Sequence, residues 1–429
     1  MRGLAYITFL LGLTLAPILT LRIGGGINVG DALLALSAFL LVLTFPARRC
    51  NPPGHRLRFY ATILVAFGGL FASSVSEAPV DSLFVLIRVI YVMTILPWQA
   101  IILLNTQRRL SNAILAFAIG AGITGYGTLV QYTLGADAIP GAIVTSAGRY
   151  SGFTGHVSDA GGITALAVVL SIGSIEKWNV SIRTLLNYFA LFGGVIGLVL
   201  SGSVAGMLSA MMGIAAVLLL RGFKLVHLVF PSVLLIGGLY VSTILQEGTK
   251  IALSPVERLL QATGISASDR SLNTAASRQE TYKLGFQGFL ENPLTGEGLD
   301  PGSASVIGEL GVHNFLLAAA YQGGSLFVVG IGLAALGGGL VAWAHRSKQH
   351  ASNAAISGAL VSITFAMSAP SFYNRYFWIP LTFLIVHAAL TSDTDGRNRY
   401  WPRTPKTSET RPIDTLINNH SSSQKLNSQ

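Results

Sequence analysis

The residues suited to chemistry lie in a few polar stretches of an otherwise apolar chain. Residues 246–313 form a long polar segment that contains Arg278 and ends at His313, and Asn314 opens the next apolar run. Arg149 lies in a second stretch that is rich in glycine. Guanidinium groups bind anions through planar pairs of donors, and imidazole accepts a proton near neutral pH. These residue types predict a site that holds an anion beside a base.

Arg278 is expected in the first turn of an amphipathic helix. Ser277 and Glu280 form an S-x-x-E capping box, so the pattern predicts a helix from Ser277 to Glu291 that lies on the membrane surface. Free backbone N–H groups at a helix start attract anions, and an arginine there indicates an anion site. The alternative is a surface arginine paired with Glu280 or Asp269.

Arg149 lies in the segment GRYSGFTGHVSDAGG, next to Tyr150 and seven residues before His156. Glycines on every side would let the backbone and the guanidinium approach one ligand. Ser158 or Asp159 is placed to cap the helix that follows. The alternative is an ordinary loop arginine at the level of the lipid head groups.

Arg88 falls inside an apolar run. A cation within a membrane span costs about 2.5–3.5 kcal/mol on insertion scales, so it must face protein, water or a ligand. The evident partners are Asp31, Asp159 and a ligand phosphate. A structural pair with Asp31 is the simpler of these interpretations.

His313 stands at the predicted membrane surface, beside the polar segment and opposite the two candidate anion-binding arginines. This place suits a general base. The alternative is that His313 caps or hydrogen-bonds the helix that follows it.

Metal and nucleotide sites have no supporting pattern. The 8 histidines are scattered, and neither an HExxH motif nor a Cys/His cluster nor a Walker A motif is found. The glycines of GEGLDPG at 296–302 do not follow a strand of a βαβ unit, so they do not predict a dinucleotide site. They could still let the loop approach a ligand closely.

The elements that must position these residues are membrane helices. Hydrophobic residues make up 51% of the chain and charged residues 11%, and apolar runs recur that are long enough to cross a core of ~30 Å. The predicted fold is an all-α polytopic transmembrane bundle of about twelve spans, with one large extracytoplasmic loop that contains the amphipathic helix. The spans are expected near residues 4–21, 27–45, 59–74, 82–104, 111–134, 158–175, 185–201, 204–220, 224–245, 314–344, 352–369 and 376–391.

The formal net charge of +10 reflects topology rather than nucleic-acid binding. Most Lys and Arg fall on alternate connections, which the positive-inside rule assigns to the cytoplasm together with both termini. The single cysteine, Cys50, falls on that side, so no disulfide is expected in the outer loop.

Four segments follow from this layout. Residues 1–245 carry spans one to nine, 246–313 form the large extracytoplasmic loop, 314–391 carry spans ten to twelve, and 392–429 are a disordered cytoplasmic tail. The tenth span is long for one crossing, and its Gly323–Gly324 pair predicts a bend or a close helix contact.

Taken together, the order of four motifs resembles the O-antigen ligase and polymerase family of bacterial integral membrane proteins. These are GRYSGF, SGSVAG, SRQETYKLGFQGFLENPLTGEGL and GVHNFLLAAAYQGG, which lie between about residues 120 and 330. One departure is Ser203–Val204, where many members carry Ser-Arg.

The resemblance implies transfer of a glycan from an undecaprenyl diphosphate carrier to an acceptor hydroxyl, on the outer face of the bacterial inner membrane. No metal, nucleotide or other cofactor is expected. The acceptor would be a glycan, lipid A core or a protein, and polysaccharide-assembly proteins are potential partners. The implied roles are diphosphate binding for Arg149, Arg278 and Arg88, general base for His313, and positioning for Asn314, Tyr150 and His156.

Several functions stay open at this point. A polymerase for an O-antigen, capsule or exopolysaccharide is favoured, while a ligase uses the same chemistry with another acceptor pocket. A transporter of lipid-linked glycan or small solutes would need polar residues through the span centres and paired broken helices, and apart from Arg88 the span interiors hold few polar residues. A structural assembly partner is the remaining interpretation, and it leaves Arg278 unexplained.

Overall fold

The computed structural model describes residues 1–24, 27–44, 54–145, 148–175, 181–222, 272–307, 310–344, 350–369 and 372–394. The predicted span 224–245, the first part of the large loop, Cys50 and the tail lie outside the described residues.

Within these ranges the chain is almost entirely helical. The helices are α1 (Arg2–Leu15), α2 (Val29–Thr44), α3 (His55–Val75), α4 (Pro79–Ile90), α5 (Leu96–Leu103), α6 (Gln107–Leu134), α7 (Val157–Ser174), α8 (Ile182–Ser201), α9 (Val204–Leu220), α10 (Leu272–Glu291), α11 (Phe315–Ala344), α12 (His350–Ala366) and α13 (Arg375–Thr394). A π-helical turn at Tyr91–Ile95 joins α4 to α5, and short 3₁₀ turns lie at Ala136–Ala138 and Gly152–Thr154.

Strands form only two small antiparallel hairpins in the described part of the chain. Strands β1 (Arg22–Gly24) and β2 (Ile27–Asn28) lead into α2, and β3 (Ser305–Ile307) and β4 (Leu310–Gly311) lead into α11. The all-α fold class is therefore confirmed, and each predicted span within the described residues contains a helix, although α1 ends at Leu15 and the span 82–104 is divided between α4, the π-helical turn and α5.

Six of these helical segments are long and apolar enough to cross a membrane. They are His55–Val75, Pro79–Leu103, Gln107–Leu134, Val157–Ser174, Ile182–Ser201 and Phe315–Leu340, and four shorter apolar helices accompany them. Helix α7 is the centre of the bundle, since 83% of it is buried, and it packs against α6, α8, α9 and α12.

The contacts between the connections of the helices define two ends of the bundle. At the end we call the basic end, Arg109 donates to the carbonyl oxygen of Leu103 and lies over the Tyr6 ring, and the Arg221 guanidinium donates to three carbonyl groups at the end of α7. The opposite end, which we call the site end, carries both hairpins, and there the Thr20 N–H donates to the carbonyl oxygen of Phe153.

Close helix packing relies on glycine where α6 crosses α8. A Cβ at Gly125 would lie 1.8 Å from the carbonyl oxygen of Gly193, so no larger residue fits without moving the helices apart. Small residues at such crossings are typical of membrane proteins, because dispersion contacts between backbones replace the hydrophobic driving force.

The bend predicted at Gly323–Gly324 is confirmed. Gly324 has φ 72° and ψ −173°, a conformation that interrupts α11 and that only glycine adopts without strain. The interruption releases the carbonyl groups of Tyr321 and Gln322, which accept hydrogen bonds from the N–H groups of Glu297 and Gly298 at 2.9 and 3.0 Å. The loop before α11 therefore completes the broken helix, as backbone polar groups at membrane depth require.

The same loop is anchored to α3 and α4. The Leu299 N–H donates to the Ser82 hydroxyl at 3.1 Å, and the Ser76 hydroxyl donates to the Asp300 carboxylate. Burial opposes ionisation of Asp300, but hydrogen bonds from Ser76 and Ser303 outweigh it and lower the pKa of this carboxyl group.

Candidate functional site

His313 lies in the connection between β4 and α11 at the site end. Its Nδ1 atom is 2.8 Å from the carbonyl oxygen of Gly311. A carbonyl oxygen only accepts hydrogen bonds, so Nδ1 carries the proton of the neutral ring. The lone pair is then on Nε2, and this nitrogen is the one able to accept a proton.

The helix that follows His313 is capped by its neighbour. The Asn314 Oδ1 accepts hydrogen bonds from the N–H groups of Leu316 and Leu317 at 3.1 and 3.0 Å, and its Nδ2 donates to the carbonyl oxygen of Met367. The alternative that the His313 side chain caps α11 is therefore wrong. Asn314, which was expected to position a substrate, has a structural role at the helix start.

Helix α10 packs directly over this connection. The Tyr282 hydroxyl donates to the carbonyl oxygen of His313 at 2.9 Å, and Gly285 lies against Val312. The backbone of His313 is thereby held from the α10 side, while its ring is held by Gly311. Two hydrogen bonds from different elements therefore fix the orientation of the imidazole.

The predicted start of α10 is wrong. The helix begins at Leu272 rather than at Ser277, so Ser277 and Glu280 do not form a capping box and Arg278 is not in the first turn. The N–H group of Arg278 is therefore inside the helix, and the argument from free N–H groups at a helix start does not apply to it. Any anion binding by Arg278 must come from its side chain.

The side chain of Arg278 acts on His313. Its Nε is buried, and among the described residues it has no hydrogen-bond partner and no ion pair with Glu280. The other proposed partner, Asp269, lies outside the described residues. The charge of Arg278 reaches His313 strongly enough to affect its ionisation.

The pKa of His313 is lowered from its ordinary value of 6.5. Burial is the largest cause, the nearby charges of Arg278 and His156 act in the same direction, and the hydrogen bond to Gly311 opposes them. The ring is consequently neutral at pH 7 and available as a base. The structure thus brings together three residues that the sequence singled out, His313, Arg278 and His156.

His156 also caps α7. Its Nδ1 accepts a hydrogen bond from the Ser158 N–H at 3.3 Å, so the predicted caps Ser158 and Asp159 are wrong. Asp159 instead accepts a hydrogen bond from the Tyr376 hydroxyl at 2.7 Å. This bond ties the start of α7 to the start of α13.

Arg149 is tied to the corner between α8 and α9. Its Nε donates to the carbonyl oxygen of Ser201, the last residue of α8, at 2.8 Å. Gly202 then turns the chain with φ 54°, and the Ser203 hydroxyl caps α9 by accepting a hydrogen bond from the Gly206 N–H. The SGSVAG motif is therefore the corner that orients Arg149. Arg149 is not among the groups whose charge acts on His313.

Tyr150 packs beside this corner. Its N–H donates to the carbonyl oxygen of Leu200 at 3.2 Å, and its ring meets the Tyr132 ring edge to face at 5.7 Å. Burial, with a smaller contribution from Tyr132, raises the pKa of the Tyr150 hydroxyl, so the group stays protonated and can act as a hydrogen-bond donor.

The expected pair between Arg88 and Asp31 is replaced by another. The Asp31 carboxylate pairs with the Arg375 guanidinium at 2.7 Å, and Arg375 also donates to the carbonyl oxygen of Ala16. Arg88 lies within electrostatic range of Tyr373: burial chiefly raises the pKa of that hydroxyl to about 12, and the charge of Arg88 opposes the rise. Arg88 thus reaches the site end from within α4.

Arg375 is a residue that the motif analysis missed. It opens α13, and the signal that could have found it is its place on the predicted outer side, where basic residues are few. Its partner Asp31 is held by Asn28, since each residue's N–H donates to the other's side chain. Local sequence patterns do not show a pair that is 344 residues apart.

An apolar groove of about 380 Å³ opens next to Asn314. Helix α10 provides one wall and α11 the other, with the side chains of Tyr282, Phe286, Phe289, Leu316, Leu317 and Val328 lining it. Phe286 is 52% exposed, so the groove opens at the side of the bundle. Its position suits a long apolar chain whose polar end lies near His313.

No group of three His, Cys, Asp or Glu side chains able to hold a metal ion occurs in the described ranges. Asp31, Asp159 and Asp300 at the site end are each engaged by protein groups, whereas the guanidinium of Arg278 beside His313 suits an anionic ligand.

Comparison with known proteins gives one family match, which covers part of this site. Residues 189–331 match the family model described as O-antigen ligase, a region that contains the α8–α9 corner, α10, the loop that completes α11, and His313. A comparison with curated proteins finds no match. With an all-α bundle of helices that can span a membrane around that matched region, the chain is a multi-pass membrane protein that carries an O-antigen ligase domain at residues 189–331.

Proposed function

We propose that the protein is a membrane glycosyltransferase that moves an oligosaccharide from undecaprenyl diphosphate to an acceptor hydroxyl. The family supports action on a lipid-linked glycan. The observation that carries the proposal is His313, a neutral imidazole with Nδ1–H held by Gly311 and with the Arg278 charge close by. A base beside a cation fits a reaction in which a hydroxyl attacks and a diphosphate leaves.

The proposed reaction needs no other reactant. Nε2 of His313 accepts the proton of the acceptor hydroxyl while the hydroxyl oxygen attacks the anomeric carbon of the donor sugar. The bond between that carbon and the diphosphate oxygen breaks, and undecaprenyl diphosphate departs with the electron pair. Arg278 and Arg149 neutralise the diphosphate through paired N–H donors, and Arg88 adds charge from α4.

Donor binding would tune the base. Arg278 lowers the pKa of His313. A bound diphosphate would compensate the charge of Arg278 and add negative charge beside the ring, and both changes raise the pKa of the imidazole. His313 is then a stronger base when the donor is in place.

The groove between α10 and α11 is proposed to hold the polyprenyl chain. It starts beside Asn314, next to the proposed base, and its lining is mainly aromatic and aliphatic. Burial of apolar surface favours such a tail by roughly 25 cal/mol per Å². Tyr150 and His156 are proposed to position the sugar or the acceptor, because both stand at the site end as hydrogen-bonding groups.

The proposed orientation puts the site end outside the cytoplasm of a bacterial inner membrane. The basic end, both termini and the tail 392–429 are then cytoplasmic, as the distribution of Lys and Arg favours. The proposed segments are 1–245, the loop 246–313, 314–391 and the tail. A polymerase that joins lipid-linked repeat units is favoured over a ligase for lipid A core or protein.

A transporter fits less well. Broken helices in transporters leave backbone carbonyl groups for a substrate or an ion. In α11 the carbonyl groups of Tyr321 and Gln322 are already taken by the N–H groups of Glu297 and Gly298. The break is therefore satisfied by protein and offers no such site.

Reconstitution would test the proposal. Purified protein in liposomes receives a synthetic undecaprenyl-diphosphate oligosaccharide with a series of acceptors: more donor, lipid A core, and a hydroxyl-bearing peptide. A ladder of longer glycans with donor alone indicates a polymerase, and a single product on lipid A core or peptide indicates a ligase. The matched control is Lys283→Ala, an exposed residue of the same helix as Arg278. The proposal fails if the folded, unmodified protein transfers glycan to none of these acceptors.

A further inference from the structure

A second groove, of about 370 Å³, lies between α3 and α5. Its lining includes His55, Arg58, Phe59, Met93, Trp98 and Ile101. Helix α3 runs from this groove to Ser76, which contacts Asp300 of the loop at the site end. The groove is therefore at the basic end, a helix length away from His313.

Arg58 differs from three other arginines of the basic end. Arg109 and Arg221 donate to backbone carbonyl groups, and Arg183 donates to the Ser111 hydroxyl. The Arg58 guanidinium has no hydrogen bond or ion pair to any described residue, and its Nε is buried. A partly buried cation without a partner among the described residues is costly, and an anion from outside the described protein would stabilise it in this groove.

The rest of the groove is suited to lipid. Phe59 is 62% exposed on the side of the bundle, and Met93 and Ile101 add aliphatic surface. Trp98 and His55 flank the arginine as amphipathic groups of the kind found at a membrane–water boundary. One wall is the π-helical turn Tyr91–Ile95, and such turns are frequent at functional sites.

We propose that this groove binds an anionic glycerophospholipid of the leaflet at the basic end. Arg58 holds the lipid phosphate, and the acyl chains lie along Phe59, Met93 and Ile101. Charge complementarity favours this occupant, because basic pockets between spans bind anionic head groups. The lipid is distinct from the glycan donor, whose proposed site is at the other end of the bundle.

Native mass spectrometry of the purified full chain would test the site. Phosphatidylglycerol and phosphatidylcholine are titrated against the unmodified protein, Arg58→Gln and Arg56→Gln. Arg56 is the matched control, an exposed arginine two residues away on the same helix. We expect tighter binding of phosphatidylglycerol to the unmodified protein and to Arg56→Gln, and binding about five- to tenfold weaker to Arg58→Gln.

Two further measurements keep the test decisive. If Arg58→Gln does not fold, Arg58→Lys, which retains the charge, takes its place in the lipid titration. In a second measurement, quenching of tryptophan fluorescence by brominated phosphatidylglycerol is compared between the unmodified protein and Trp98→Phe. Loss of the quenched component in Trp98→Phe supports the site. Four results would each overturn the proposal. Two concern the titration: phosphatidylcholine binds as tightly as phosphatidylglycerol, or Arg56→Gln weakens binding as much as Arg58→Gln does. The other two are quenching that does not involve Trp98 and full competition by soluble glycerol phosphate.

Discussion

His313 donates its Nδ1–H to the carbonyl oxygen of Gly311, 2.8 Å away and only two residues earlier in the chain. This bond fixes the tautomer of the ring, so that Nε2 holds the lone pair. The neighbouring Asn314 caps α11, so the His313 side chain is not needed as a helix cap. The imidazole is thus oriented by one nitrogen and left basic at the other.

Replacing His313 should abolish base catalysis without removing the helix cap. We expect His313→Ala and His313→Asn to lower turnover by about 10² to 10⁴, because general-base assistance is typically worth that factor. Donor binding should stay nearly intact, since the arginines hold the diphosphate. Turnover of purified protein is measured at matched donor occupancy.

His313→Asn is the sharper variant, because its amide can still donate to Gly311 but cannot take a proton at neutral pH. A purely structural role predicts that asparagine rescues activity. Turnover within about threefold of the parent would remove His313 from the mechanism, since base catalysis is too large a contribution to vanish unnoticed.

Activity should depend on pH through His313. The pKa of its imidazole is lowered from 6.5, and only the neutral ring is a base, so kcat/KM should fall on acidification through an apparent pKa below that value. Arg278 is one cause of the lowering. Arg278→Gln removes this positive charge, and its removal makes protonation of the His313 ring more favourable. The acid limb of the kcat/KM profile should therefore move to higher pH.

Arg278→Lys supplies the control for this shift, because it keeps the charge and should leave the acid limb near its original position. In the unmodified protein, the acid limb of the kcat profile should lie at higher pH than that of the kcat/KM profile, because bound diphosphate raises the pKa of the His313 ring. An acid limb that is identical in Arg278→Gln and the parent would contradict the assignment of His313 as the titrating base.

The geometry of the arginines should matter as well as their charge. Arg149 donates through Nε to Ser201, and a lysine, with a single nitrogen, could not keep that bond and also clasp two phosphate oxygens. We expect Arg149→Lys and Arg278→Lys to lose most activity at unchanged membrane abundance. Lys283→Arg, an exposed position on α10, is the control for the substitution chemistry. A near-normal amount of product from both lysine variants would mean that Arg149 and Arg278 are surface arginines that do not clasp the diphosphate.

Much of the bundle was predictable because the hydropathy of a short stretch of sequence is enough to identify a membrane helix. A spanning helix satisfies its backbone by its own hydrogen bonds and needs a continuous run of apolar side chains to match the hydrocarbon core, so hydropathy alone locates α3, α6 and α7. The bend in α11 was also predictable from local sequence, because the span is too long for one straight crossing and the Gly-Gly pair within it indicates a bend or a close helix contact.

Features that depend on distant partners were not predictable in this way. The S-x-x-E pattern at Ser277 suggested a helix start, but the residues before it also favour helix, and α10 begins at Leu272. The pair of Asp31 with Arg375 joins α2 to α13 across most of the chain, and no local spacing signals it. The caps by His156 and Asn314 depend on side-chain directions that only the fold sets.

The orientation of the bundle is open to direct labelling. In a Cys50→Ser background, single cysteines replace Pro301 at the site end and Arg108 at the basic end, both exposed positions. We expect a membrane-impermeant maleimide to label Pro301→Cys in intact cells and Arg108→Cys only after permeabilisation, as the positive-inside rule requires. Labelling of Pro301→Cys only from the cytoplasm would remove the basis for an outer-face transferase.

The ion pair of Asp31 with Arg375 should stabilise the site end as a coupled unit. The two side chains are 2.7 Å apart and only 27% and 15% exposed, and Arg375 also bonds to Ala16, so the pair joins α1, α2 and α13. Removing one partner leaves a half-buried charge uncompensated, and for Asp31→Asn it also leaves Arg375 facing the like charge of Arg88.

Each single variant, Asp31→Asn or Arg375→Gln, should therefore destabilise the protein, and the double variant should be less destabilised than the sum of the two. We expect a coupling free energy of about 0.5–3 kcal/mol from a double-mutant cycle on thermal unfolding in detergent. The pair of Arg109 with the Tyr6 ring, at the basic end, provides a distant cycle that should be additive with this one. Strict additivity of Asp31→Asn and Arg375→Gln would mean that the pair is formed without stabilising the fold, and the site end would then owe its order to the helix caps alone.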